Sequence, residues 1–511
     1  MAIAVSLIRR GAAQFPDRTA VYFEDQTMTF KEVDQAANRI SAAFAEMGVA
    51  KGERVALLVG NGLWSIPIDF ATMKSGIVRV PLNARLSLEE HARMIDEADC
   101  SVLVHDAALA ERARELATRR PGLRLAGLGV TDDADERDLL DRLDEPAPEP
   151  DVQISPEDPC LQLYTSGTTG VLKAVVHTHG SFGAITTNIL SNLVDPGPDS
   201  VMLHAASLIH ASGTFVLPYW IRGGASAVLS GFEPQGYLDA VRRYRATELN
   251  LVPTMIGMLV NSPAAAEADL SSVRQVIYGA SPMPPAVLRR AREAWGPILT
   301  QYYGQSEAPL CIAVLSAADH DDESLWGACG QPAVDADLRI ADDDGNPVAP
   351  GEVGEIQLDA PFRMAGYFRA DELNAEMTTP DGWLRTRDMG RIDERGYLYL
   401  VDRRSDMIIT GGYNVYPREV EDVLCEHPAV GECAVVGAPD EKWVEAVTAF
   451  VALRDGHEAS EGELIDFVRA RLAPHKAPKR VLFAEQIPKS AVGKILRRAL
   501  REPLWKEQNN G

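Results

Sequence analysis

Tyr164-Thr-Ser-Gly-Thr-Thr-Gly-Val-Leu-Lys173 is the stretch from which the rest of the chain can be read. An apolar run, Leu161 to Tyr164, leads into hydroxyl residues (Thr165, Ser166, Thr168, Thr169) and two glycines (Gly167, Gly170), and a second apolar run follows at Val175-Val176. The glycines let backbone N–H groups approach an anion closely, the hydroxyls add donors, and Lys173 adds charge. A Walker A loop would need Gly-Lys-Ser/Thr ahead of a helix, so this is a different phosphate cradle, set between two strands.

Outward from this loop, short apolar runs alternate with amphipathic segments over roughly the first four hundred residues, the signature of an α/β fold. Helical spacing runs from Thr29 to Met47 (Val33, Ala37, Ile40, Phe44), and strands are expected at Arg54–Val59, Gly76–Leu82 and Ser101–Val104. The acidic, Pro-containing stretch from about Thr131 to Pro156 reads as a surface connection, and Asp342 to Pro347 as a hairpin tip. Beyond Asp402–Asp406 the character changes. Pro417 opens a helix with Val420, Val423 and Leu424 on its apolar face. Strands follow at Cys433–Val436 and Val447–Val451. Ser460 and Glu463 then cap a helix that carries Leu464, Phe467, Val468 and Leu472 and that Pro474 is expected to stop. The chain thus divides into a large N-terminal α/β domain of several subdomains, residues 1–404, and a small mobile α+β lid, residues 405–511.

Bulk properties narrow the partners. The 511 residues carry 50 Lys and Arg against 74 Asp and Glu, a net charge of −24, which argues against nucleic acid. A polyanionic substrate must then be captured by local positive sites. One such island spans Arg471 to Lys506, where Arg and Lys greatly outnumber Glu485 and Glu502. The six cysteines are scattered, and Cys425, His427 and Cys433 fit no zinc spacing, so they read as buried thiols of a reduced, cytoplasmic protein. Arg9 and Arg10 follow the first apolar run instead of preceding it, unlike a signal peptide, and no segment is expected to be integral to a membrane.

Further motifs place the chain. Phe15-Pro-Asp-Arg-Thr-Ala-Val21, Pro81-Leu-Asn-Ala-Arg85, Ser207-Leu-Ile-His-Ala-Ser-Gly213, Tyr303-Gly-Gln-Ser-Glu307, Gly382-Trp-Leu-Arg-Thr-Arg-Asp388, Asp402-Arg-Arg-Ser-Asp-Met-Ile408, Gly411-Gly-Tyr-Asn-Val-Tyr-Pro417 and Pro488-Lys-Ser-Ala-Val-Gly-Lys494 occur in that order. Together with the phosphate loop they resemble the adenylate-forming superfamily of acyl-CoA synthetases, luciferases and peptide-synthetase adenylation domains, over nearly the whole chain.

The resemblance implies a reaction in two halves. A carboxylate attacks the α-phosphate of ATP to give acyl-AMP and pyrophosphate, and coenzyme A then displaces AMP. Both first reactants are anions, so the site must neutralise charge before geometry can help. By the same resemblance Glu307 is the Mg²⁺ ligand, and Lys494 bridges the acyl carboxylate and α-phosphate, with Lys489 its rival. Thr168 and His210 complete the catalytic set. The nucleotide site comprises Thr165, Ser166, Gly167, Thr169, Gly170, Lys173, Ser306, Tyr303 for adenine, and Asp388 and Arg403 for the ribose. Gly411 and Gly412 are assigned to the pantetheine arm of coenzyme A, with Trp443, Arg85 and Lys476 as weaker candidates for its nucleotide. The acid pocket comprises His210, Thr254, Ala280, Met283, Tyr302 and Leu310, and a Tyr at 302 should shorten it towards aryl or short-to-medium acids. His177 and His179 read as structural.

The family's usual residues are absent at Leu172, Ala174 and Arg387, and Ser405 stands at the hinge. No amino-acid counter-ion is found in the Ile209-His210 stretch, which turns the reading away from amino-acid activation. The expected partners are therefore a small carboxylic acid, ATP and coenzyme A. Loading of a carrier protein's phosphopantetheine is the alternative acceptor reaction, and a nucleotide-binding relic without activity is the non-enzymatic one. Nothing in the sequence fixes the oligomeric state, with which a homodimer is compatible.

Overall fold

A computed structural model describes residues 3–129, 136–166, 172–209, 211–403, 406–411, 413–440, 442–489 and 495–509. Among these residues the strands form four sheets. In the first, the strands Leu299–Tyr303, Gln275–Tyr278, Glu248–Leu251, Val201–His204, Ala225–Val228 and Thr19–Phe23 lie side by side in that order, all parallel. Their carboxyl ends therefore share one edge, where ligands of open α/β sheets bind. The second sheet has Arg54–Leu58 between Val78–Pro81 and Val102–Asp106, all parallel. Pro159–Ser166 adds on parallel to Val78–Pro81, and Leu172–Thr178 pairs antiparallel with it. The phosphate loop is thus the connection of a hairpin, as the two apolar runs around it imply.

One continuous core draws Val21, Met202 and Ile277 from the first sheet and Val55, Val102 and Val104 from the second. Helices lie within the same core. His179–Asn192 is buried along most of its length, with the polar His179, Ser181, Thr186 and Asn188 included, whereas Phe30–Glu46 is amphipathic and starts at a reciprocal Thr29–Glu32 capping box. Trp220 is a keystone here. Its ring lies 4.3 Å from that of Phe30 and 4.8 Å from that of Phe70, and Nε1–H donates to the Ile8 carbonyl at 2.8 Å. Gly11 admits it: a Cβ there would sit 2.3 Å from the indole.

A third, antiparallel sheet is built from Asp337–Ala341, Gly354–Asp359, Leu384–Ile392 and Leu398–Arg403, and the Asp342–Pro347 stretch turns between its first two strands. The fourth sheet contains Val430–Asp440, Val444–Leu453, Ile408–Thr410, Tyr413–Val415 and Arg480–Phe483. It closes a separate core with the helices Pro417–Cys425 and Glu461–Arg469, where Ile408, Val420, Leu424, Val435, Leu464 and Val468 meet. The Ser460–Glu463 capping box forms as expected, but the helix ends at Arg469, so Pro474 is not its stop. Leu472 nevertheless packs on this core from the following turn.

Trp220→Ala should destabilise the large N-terminal body by about 3–5 kcal/mol, the usual range for a buried aromatic deletion. A fall in its denaturant midpoint without loss of the small body's transition is the expected result.

Candidate active site

The nucleotide candidates converge on one buried carboxylate. Asp388 lies in the Leu384–Ile392 strand directly opposite Arg403 of Leu398–Arg403, which places both proposed ribose groups on neighbouring strands. The Tyr303 hydroxyl donates to Asp388 Oδ2 at 2.6 Å, and the Gln305 amide donates to the same oxygen and to the Thr386 carbonyl at 3.0 Å. Burial, followed by the Asp388 charge, pushes the Tyr303 phenol well above its ordinary range, so it remains a donor. Gln305 was not singled out from the sequence although it lies inside the Tyr303–Glu307 motif.

A second cluster adjoins the phosphate hairpin. Lys173, opposite Thr165 in the hairpin ladder, sits 5.7 Å above the Tyr367 ring, whose hydroxyl donates to Glu307 Oε1 at 2.5 Å. Burial and then the Arg387 charge lower the Lys173 pKa. Tyr367 carried no motif signal, yet it joins the loop lysine to the candidate metal ligand. Ser306 enters through its backbone, accepting from His177 Nε2 at 2.8 Å. Gly167, Thr168, Thr169, Gly170, His210, Ser405, Gly412 and Lys494 lie outside the described residues, and for Ser166 and Arg403 only the backbone placement is described.

The acid-pocket candidates gather at the common carboxyl edge of the first sheet. Thr254 follows Glu248–Leu251, Ala280 follows Gln275–Tyr278, and Tyr302 is in Leu299–Tyr303. Tyr302 packs on Gly279, where a Cβ would come within 2.8 Å of its ring. Met283 and Leu310 are buried on this side. Ala280 and Leu310 adopt φ of +69° and +63°, which side chains rarely take and which clusters at ligand sites. Arg387 does the same at +59° immediately before Asp388. That conformation explains the glycine usual there, and Arg387 is tied instead to Glu376 at 3.0 Å. A small cleft has Asn61, Asp69, Arg79, Leu208, Ile209 and Val216 among its walls. None of Thr254, Ala280, Met283, Tyr302 or Leu310 lines it.

The small body sorts the remaining candidates. Gly411 has φ +58°, and a Cβ there would lie 2.7 Å from the Trp443 ring, so these two coenzyme A candidates are in contact. Lys442 and Lys479 flank that indole at 4.8 and 5.6 Å. The basic island of the C-terminal sequence is largely neutralised: Lys476 binds Glu419, Lys489 binds Glu432, Arg497 binds Glu421, and Arg501 binds Glu445. Lys489, the rival named for the bridging role, is thus paired with Glu432, and Lys476, a weaker coenzyme A candidate, with Glu419.

With this geometry in view, the comparisons are direct. Residues 8–368 match the family of AMP-binding enzymes, and residues 419–494 match the AMP-binding enzyme C-terminal domain. The chain belongs to this adenylate-forming family. It is 39% identical to the medium/long-chain-fatty-acid–CoA ligase FadD8 of Mycobacterium tuberculosis, over 92% of this chain and 85% of the relative. It is 38% identical to a feruloyl-CoA synthase of an Amycolatopsis species, over 96% and 97%. Among solved structures, the amide bond synthetase McbA of Marinactinospora thermotolerans superposes with a TM-score of 0.90 at 33% identity, covering 98% of this chain and 99% of that one. The chain is an ATP-dependent, AMP-forming carboxylate–CoA ligase. No helix among the described residues is long and apolar enough to cross a membrane.

His177, His179 and His204 are buried, and burial lowers their pKa values from 6.5 to about 4, 4 and 3. A lowered histidine pKa means the unfolded chain takes up protons first. Stability is therefore full above pH 6.5 and falls as the pH drops from 6.5 towards 4. Thermal scans should show this loss, reduced in His204→Gln. Asp388→Ala should lower the unfolding midpoint, because the buried Tyr303 hydroxyl and Gln305 amide lose their shared acceptor, and on the reading of Asp388 as a ribose ligand it should also lower kcat/KM for ATP by about 100-fold or more.

Proposed function

We propose that the Asp388–Tyr303–Gln305 and Glu307–Tyr367–Lys173 clusters, which flank the 165–173 hairpin, form the site where ATP and a carboxylic acid become acyl-AMP and pyrophosphate. The single observation that carries this reading is the Asp388 carboxylate, buried and oriented by two donors beside the Arg403 strand position. A carboxylate so placed suits paired ribose hydroxyls, and Tyr303 and Ser306 border the base and phosphates. Thr165, Ser166, Gly167, Thr168, Thr169 and Gly170 supply the donors that face the phosphates.

Mg²⁺ fits the donor set. Glu307 offers a carboxylate with one oxygen engaged by Tyr367, and such an ion commonly takes one or two protein carboxylates plus substrate phosphates. Bound there, it would withdraw charge from the phosphates. Lys173 contributes a fixed positive charge on the same side, and Lys494 brings a second one from the small body to the acyl carboxylate and α-phosphate. The division between bodies falls at Ser405. For the thioester half the small body turns, Lys494 withdraws, and the Gly411–Gly412 face beside Trp443 guides the coenzyme A thiol to the adenylate. The enzyme works in the cytoplasm.

The acid is of aryl or short-to-medium length. Tyr302, packed on Gly279 at the end of its strand, takes up the depth a long chain would need. A panel running from ferulate and benzoate to octanoate and palmitate tests this, and fastest turnover with palmitate would overturn it. Free coenzyme A and a carrier-bound phosphopantetheine, compared as acceptors, separate the ligase reading from carrier loading.

Lys494→Ala should lower carboxylate-dependent pyrophosphate release by about 100-fold or more, the range for losing one preorganised charge at a reacting centre. Supplied acyl-adenylate should still be converted to thioester. Equal loss of both steps refutes the division of labour.

A further inference from the structure

Arg497, the first residue of the Arg497–Asn509 helix, sits in a knot of carboxylates drawn from both sides of residues 404–405. Its Nε and Nη2 donate to Glu421 Oε1 and Oε2 at 3.1 and 2.6 Å. Its Nη1 is 3.3 Å from Asp406 Oδ2 and 3.7 Å from Asp402 Oδ1. Glu421 belongs to the Pro417–Cys425 helix and also accepts the Val435 N–H at 2.7 Å. Asp402 belongs to Leu398–Arg403, the last strand of the large body, and its Oδ2 accepts the Arg418 N–H at 3.0 Å. Both Asp402 and Glu421 are buried. Burial opposes charge on Arg497, but Glu421, Asp402 and Asp406 more than offset it, and its pKa is raised.

The position of this knot gives it consequence. Lys489 bridges to Ile495 in antiparallel fashion, and the Leu496 N–H donates to the Pro488 carbonyl at 2.8 Å, closing the base of the 490–494 segment. Arg497 is the next anchor along the chain. Two of its three carboxylates, Glu421 and Asp406, lie in the small body and would travel with it in any rotation about 404–405. The third, Asp402, lies before that point. A turn of the lid would leave the first two contacts intact and break the third.

We propose that Arg497 is a positioning residue whose contact with Asp402, made across the proposed hinge, favours the lid orientation in which it forms over the alternative one. The inference rests on the reading that the two half-reactions use two lid orientations, with Lys494 serving adenylation. A bidentate bond to Glu421 fixes the guanidinium plane, so Nη1 can reach Asp402 only when the two bodies stand in one relation. Contact with a single cross-hinge carboxylate biases an equilibrium between two orientations without locking either.

The test uses the full chain, ATP, coenzyme A and whichever acid of the panel the wild type adenylates fastest. Pyrophosphate release and thiolysis of supplied acyl-adenylate are measured separately for Asp402→Asn, Arg497→Gln, Arg497→Lys and the Asp402→Asn/Arg497→Gln double variant. Asp402→Asn keeps an oxygen for the Arg418 N–H. One half-reaction, the same one in both variants, should fall by about 10-fold in Asp402→Asn and Arg497→Gln while the other changes by less than about 3-fold, with the double variant no worse than Arg497→Gln. Arg497→Lys should recover part of the loss. Equal falls in both half-reactions that track the unfolding midpoint, additive losses, or full activity in Asp402→Asn would each overturn the proposal. A Lys494→Ala enzyme that still adenylates would instead overturn the Lys494 assignment, and the Arg497 variants would read the lid's bias independently.

Discussion

Asp388 is the point at which otherwise separate parts of the chain are made to agree. A buried carboxylate tolerates its charge only when donors converge on it. Here they come from Tyr303, at the end of a parallel strand in the first sheet, and from Gln305, two residues on. The carboxylate itself belongs to the third, antiparallel sheet, and its cross-strand neighbour Arg403 is the last described residue before 404–405. One set of hydrogen bonds therefore fixes the sheet edge, the Tyr303–Glu307 turn and the strand that leads to the small body. Displacing any of these would leave a buried charge short of partners.

Charge is the second organising constraint. The net −24 is adverse to binding ATP, and the C-terminal basic island looks from its sequence like the compensation. In three dimensions much of that island is spoken for by Glu419, Glu421, Glu432 and Glu445. Lys173, beside the phosphate hairpin, has its pKa lowered by burial and by Arg387. On the proposed reading, a divalent ion and a second ammonium brought by a moving body add the positive charge that two reacting anions need.

Much of this was legible from residue order. The Ser460–Glu463 capping pair is local and was read correctly, and the apolar runs around residues 164–173 announced a strand–loop–strand unit whose strands pair as a hairpin. Three features were not legible, each for a physical reason. The end of the Glu461–Arg469 helix precedes Pro474, since proline forbids continuation but does not oblige a helix to reach it. The left-handed backbone at Ala280, Leu310 and Arg387 is imposed by tertiary packing on residues with no preference for it. Gln305, Tyr367 and Arg497 act through partners 60 to 83 residues away, and no spacing rule reaches that far.

The same distance argument bears on how a single site can serve two reactions. Among the residues proposed for nucleotide and acid, Tyr302, Tyr303 and Leu310 are embedded in one large core, where rearrangement would disrupt many packed side chains at once. The groups proposed to act in only one half-reaction lie on a body whose core shares no residue with that large one. On the proposed reading, rotation of the small body would leave both cores intact and reshuffle polar contacts near residues 402–418. A polar junction is suited to this because its partners can be exchanged for water at small net loss, whereas an apolar junction of equal size would hold one orientation. On the proposed reading, the carboxylate-rich surroundings of Arg497 suit a junction whose two orientations must remain close in free energy.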